Sequence, residues 1–273
     1  MIALGFSRVV FVICCALSTV SNSWDLSEEH KPEGALGVRL DYYLATSWPT
    51  PLLKKGVQNK RAFAWSSHLK FDTDVSKLDD AQLWQMAYDG YAEMKEDMKL
   101  YSVGKKGDQP SAMTVLAVGK EIFLASSMKH SGNFAFEYPP TKVSRILEQC
   151  QITFNEAGGE GDAGHKNNAD CAEVMSAQMY FTTDQGENTS LKDRNARICT
   201  VVWDHKLKKL QNRDPCGDMP KSWGCNLFVN QLGLIVLDKS IEPEPYNLNE
   251  IMGKPVIDQI PLCASANTGL VSR

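Results

Sequence analysis

The 273-residue sequence predicts an α/β protein built around a mixed β-sheet, and three observations predict it. Residues 79–101 carry apolar side chains at three- and four-residue steps. Two apolar runs follow, residues 113–118 and 121–125, split by Gly119-Lys120. A third apolar run, residues 196–204, is rich in β-branched side chains and stands between two segments that begin like helices. Helix, hairpin, helix, strand and helix in this order call for helices packed on a sheet.

Each element has a local reason. In residues 79–101, Leu83, Ala87, Tyr91, Met94 and Met98 share one helical face, and Asp79 and Asp80 suit the positive N-terminal end. This stripe of methionine and aromatic residues reads as core. Residues 113–125 read as a β-hairpin turning at Gly119-Lys120. The proline-led segment after Glu137 leads into a short helix or strand. Residues 155–168 form a glycine-rich polar loop without the Lys-Ser/Thr ending of a phosphate loop. Asp170 is placed to cap a helix through Phe181, with Val174, Ala177 and Phe181 inward. Residues 196–204 are a buried strand. Residues 225–237 begin as a helix, with Leu227, Phe228 and Leu232 inward, and end as a strand. Residues 24–76 read as an irregular N-terminal segment, 77–240 as the principal domain, and the proline-bearing tail 241–273 as a wrapping extension.

Composition narrows the function classes. Apolar residues make up 43% and charged residues 23%, so a sizeable core is expected and disorder is not. A net charge of −4 gives no overall basic footprint for nucleic acid. Residues 1–23 show Arg8, an apolar run from Val9 to Leu17 and small residues up to Ser23. That is the pattern of a cleaved secretory signal peptide, with an uncleaved anchor as the alternative. A secreted chain with no membrane span after cleavage is expected. The sequon at Asn188 is consistent with a glycoprotein on that route.

Of eight cysteines, Cys14 and Cys15 lie in the leader. The remaining six, Cys150, Cys171, Cys199, Cys216, Cys225 and Cys263, form an even set, as a disulfide framework would. Three of them carry a second pattern. Cys171 and Cys225 each stand at a helix start, where the dipole favours a thiolate. Cys216 follows Pro215 in the loop after the buried strand. Three converging thiolates are a zinc site with its fourth position open to water, as in catalytic centres. Glu173, two residues after Cys171, would stand beside that water as a proton shuttle.

Cys171-Ala172-Glu173 followed by Pro215-Cys216 and Cys225 resembles the zinc-dependent cytidine deaminase superfamily, whose motifs are [His/Cys]-Ala-Glu and Pro-Cys-x-x-Cys. The likeness covers about residues 79–237 and includes the element order. It implies a three-layer deaminase-like sandwich with Zn2+ held by Cys171, Cys216 and Cys225. It implies Glu173 as the catalytic proton carrier and a nucleobase-containing substrate, free or in a nucleic acid. The chain departs from the family at one place, because eight residues, in place of two, separate Cys216 from Cys225.

Other readings stand beside these. Cys216 and Cys225 could close a small disulfide loop. Glu173 could be an ordinary first-turn glutamate. His165 reads as a solvated loop histidine, with metal ligation as the alternative. Trp223 reads as cover for the core and not as a stacking platform. Residues 205–214 read as a solvated basic connection. A catalytically inactive deaminase fold used for binding, and an unrelated secreted interaction protein, remain the alternatives to an enzyme. Residues 217–224 are expected to form an exposed loop at the mouth of the site.

Overall fold

The computed structural model describes residues 24–47, 61–104, 107–129, 134–137, 141–159, 164–183, 190–218 and 220–263. The leader reading of residues 1–23 and the sequon at Asn188 lie outside these residues. None of the described helices is long and apolar enough to cross a membrane.

The elements follow in chain order as β1 (Arg39–Leu40), α1 (Tyr42–Ser47), β2 (Trp65–Lys70), α2 (Asp80–Leu100), β3 (Ala112–Val118) and β4 (Glu121–Ser126). Next come α3 (Phe134–Glu137), α4 (Lys142–Glu156), α5 (Ala172–Thr182), β5 (Arg197–Asp204) and β6 (Lys209–Arg213). The chain continues through α6 (Cys225–Leu232), β7 (Ile235–Val236), α7 (Leu248–Ile251) and β8 (Val256–Asp258). The sheet runs β1-β2-β4-β3-β5-β6, with β7 also on β5 and β8 also on β2. Among the described pairs only β5–β7 is parallel, so the sheet is mixed but mostly antiparallel.

Helices cover both faces. The face carrying Trp65, Met113, Val115, Leu124 and Val201 packs with α2. The opposite face carries Leu116, Phe123 and Ile198 and packs with α4, α5 and α6. Double cover explains why β3 and β4 are buried along their whole length. α2 begins as a capping box. The Asp79 carboxylate accepts from Gln82 N at 2.8 Å, and Gln82 Oε1 accepts from Asp79 N at 3.1 Å. All five residues of its expected stripe are buried. α5 is buried on all sides as far as Phe181, so its N-terminal residues are carried into the interior.

Three expectations are corrected. Residues 24–76 are not merely irregular, because β2 lies inside the sheet, paired to β1 and β8 at one side and β4 at the other. Its sequence, Trp-Ser-Ser-His-Leu-Lys, hides the strand because most of its buried polar side-chain atoms are paired, His68 Nε2 being the exception. Ser66 Oγ accepts from Gln259, Ser67 Oγ donates to Leu36 O, and His68 Nδ1 meets Asp258 at 2.7 Å. Residues 205–214 are not only a connection, since Lys209–Arg213 form the edge strand β6. Its lysine and arginine suit an exposed edge. The N-cap of α5 is Cys171 and not Asp170.

The tail returns along the sheet. β8 pairs with β2, and the Gln259 amide donates to the carbonyls of Arg39, Leu40 and Ser66.

Candidate metal centre

Four side chains, His165, Cys171, Cys216 and Cys225, bring their donor atoms within 4.8 Å of one another, a group that could hold a metal ion such as zinc. Each arrives from a different local structure. His165 sits in the tight turn before α5. Cys171 is the N-cap of α5. Cys216 lies after β6, and Cys225 is the first residue of α6. The three expected thiols are therefore together. The structure adds His165, which the sequence placed in solvent but which is 5% exposed.

The long spacing between Cys216 and Cys225 folds back on itself. Asp218 N donates to Ser222 O, and Ser222 N donates to Asp218 O, both at 2.9 Å. This miniature hairpin returns Trp223 to the interior and Gly224 to the backbone of Cys216. Cys225 N then donates to Cys216 Sγ at 3.4 Å, and Asn226 N to Cys216 O at 2.9 Å. Asp218, Pro220 and Lys221 are exposed, while Trp223 and Gly224 are buried. The exposed part of the loop is thus its tip, and its last residues belong to the core.

The donor set suits a soft, tetrahedral ion. Cys171 Sγ and Cys216 Sγ are 3.6 Å apart. Two sulfurs on a zinc ion at about 2.3 Å would stand about 3.8 Å apart at the tetrahedral angle. A disulfide requires about 2.05 Å, and all six described cysteines are free. Cys171 at 9% exposure and the half-buried Cys216 are the members nearest solvent.

The charges are interdependent. Cys216 is held far below the usual thiol range, first by its hydrogen bond with Cys171 and then by that with Cys225. The same bond to Cys216 pushes Cys171 well up. Burial is the main cause raising Cys225. Hydrogen bonding within the cluster thus favours charge on Cys216 and the neutral thiol on Cys171. A bound divalent ion would displace the remaining thiol protons. Burial holds His165 below its usual range.

Glu173 projects from the first turn of α5 and is 5% exposed. Burial raises it to about 7, and the negative charge of Cys216 adds to that, while hydrogen bonds with Thr200 and Cys225 oppose it. Thr200 in turn shares a 2.7 Å hydroxyl–hydroxyl bond with Thr114. A first-turn glutamate serving only the helix dipole would normally face water. This one faces the sulfurs and the sheet.

Trp223 is fully buried and donates from Nε1 to Gln151 Oε1 at 2.8 Å. Its ring meets His165 edge to face, with centroids 4.9 Å apart. It is a wall of the centre, as the core reading expects.

No protein-family model matches the chain, and neither a curated protein nor a solved structure matches it.

Proposed function

We propose that the chain is a secreted zinc-dependent hydrolase of the cytidine deaminase type, acting on a nucleobase. Cys171, Cys216 and Cys225 would hold the zinc, and Glu173 would move the proton. The observation carrying this is that Cys171 and Cys225, at two helix starts, meet Cys216 from the loop after β6 despite the eight-residue Cys216–Cys225 spacing, with the buried Glu173 in the first turn of α5. The order α2, β3–β4 hairpin, α5, β5 and α6, with α3 and α4 set before α5 and β6 before α6, is consistent with the same reading and with the deaminase-like sandwich it implies.

Zinc held there supplies a Lewis acid that makes water acidic enough to serve as nucleophile near neutral pH. The chain's own residues do the rest. Glu173, fixed by the first turn of α5 and by Thr200, accepts a proton from the nucleophile and passes it to the ring nitrogen. The same carboxyl then serves the departing ammonia as the carbon–nitrogen bond breaks.

A second reading is favoured by one observation, the presence of His165 in the cluster. Four protein ligands would close the site, and it would then be structural. Metal analysis with ammonia release from cytosine- and adenine-containing substrates separates the two. Glu173→Gln is expected to keep one zinc and lose about 10²- to 10⁴-fold in rate. Cys171→Ser is expected to lose both metal and activity. Full ammonia release by Glu173→Gln would refute the enzyme reading.

A further inference from the structure

We propose that His165 is a positioning residue for the centre, donating a hydrogen bond to Cys225, and is not a metal ligand. The inference rests on the metal reading above and decides how many protein groups surround the ion.

The reason is the outward face of its ring. Nδ1 lies 3.1 Å from the backbone nitrogen of Asn167 and 3.1 Å from that of Ala169, and both N–H groups donate to it. A nitrogen accepting two N–H bonds presents its lone pair and carries no proton. In a neutral imidazole the other nitrogen then carries the proton. That nitrogen is Nε2, which faces Cys225 Sγ at 3.6 Å. A metal binds imidazole through a lone pair, and the one lone pair in this ring is already engaged. Histidines that bind metals show the reverse arrangement, with the outer nitrogen donating to a carboxylate or carbonyl. Turning the ring over would set a carbon-bound hydrogen against the two backbone donors, so the orientation is fixed by its surroundings.

The backbone is shaped for this arrangement. Asn168 and Ala169 are consecutive residues in the left-handed region, with φ of 53° and 58°. Such a pair is costly for residues that carry a Cβ. Here it wraps residues 167–169 around Nδ1. Lys166 N donates to Trp223 O at 2.9 Å, which fastens the turn to the loop that delivers Cys225.

The three sulfurs show the same pattern. Cys171 Sγ accepts from Asn167 Nδ2 at 3.4 Å, Cys216 Sγ from Cys225 N at 3.4 Å, and Cys225 Sγ faces the Nε2 of His165. Each thiol thus has its own N–H donor. Three thiolates on one divalent ion leave excess negative charge, which such donors disperse. The arrangement is an outer shell for a three-sulfur centre whose fourth position is left for a ligand that is not protein.

The test is zinc-edge X-ray absorption on zinc-loaded full-length protein, with nitrogen-15 NMR of His165. Expected are three sulfur neighbours and one light atom without imidazole outer-shell scattering, and a histidine protonated at Nε2. His165→Gln keeps a donor amide and is expected to retain one zinc with the same three-sulfur signature. Its affinity should fall about tenfold to hundredfold, as for other outer-shell losses. Imidazole scattering in the wild type that vanishes in His165→Gln would overturn the assignment while leaving the metal reading intact. Protein that takes up no zinc would overturn the metal reading itself.

Discussion

Gly224 decides whether the sulfurs can meet. Its φ of −168° is ordinary extended backbone, so conformation does not demand glycine there. Space does. A Cβ at this position would stand 2.4 Å from the carbonyl oxygen of Cys216 and 2.8 Å from its sulfur. Gly224→Ala must push the two backbones apart, at a cost of about 1–3 kcal/mol if overpacking here resembles that in other cores. The variant is expected to unfold at lower temperature and to hold zinc poorly. Wild-type melting and wild-type zinc content together would contradict this account. The meeting of the three thiols could be read from residue type, because Cys171 and Cys225 stand at recognisable helix starts. His165 could not, because loop histidines are ordinarily solvated. The available signal was Asn168, three residues on, a residue type that tolerates the left-handed conformation it adopts here.

Among the elements, the eight-residue Cys216–Cys225 segment was the feature that most obscured the site in the sequence. Asp218 and Ser222 close the tip on themselves, so Gly217 and Trp223 are brought together as a much shorter loop would bring them. Loop length then has little bearing on where Cys225 lands, since a few extra residues cost little closure entropy. Replacing residues 218–222 with a two-residue glycine turn should leave zinc stoichiometry unchanged and shift the melting temperature by only a few degrees. Metal lost from a variant whose circular dichroism is native would show that the tip contributes more than a return path. β2 shows the opposite limit of sequence reading. The hairpin of β3 and β4 and the strand β5 declare themselves by apolar runs. β2 carries Ser66, Ser67 and His68 into the interior, and its partners come from residues 36, 258 and 259. A strand whose polar side chains take their partners from both ends of the chain leaves no local signature.

Across the whole molecule, one carboxyl joins those two ends. Asp41 is 1% exposed and accepts from Leu44 N at 2.9 Å, at the start of α1. Its second oxygen accepts from Leu262 N at 2.7 Å, so the tail is clasped to the N-terminal segment. Burial raises Asp41 to about 6 from an ordinary 3.8, against the opposing pull of these two hydrogen bonds. The folded state therefore holds this proton more tightly than the unfolded chain. Its contribution is full below about pH 3.8 and is lost as pH rises through about 6, because νN exceeds νU in that window. A shift of this size corresponds to roughly 3 kcal/mol at most. Asp41→Asn cannot ionise, although its amide presents a donor to one of the two backbone N–H groups and so lowers stability at every pH. The wild-type advantage over Asp41→Asn in unfolding free energy should therefore shrink between pH 4 and pH 7. Urea titrations of both proteins across that range measure it, with the other raised carboxyls, Glu93, Asp97, Glu121 and Glu173, common to the two. A difference that stays flat with pH would mean that Asp41 is already ionised at pH 4, and that the clasp on Leu262 is a carboxylate throughout.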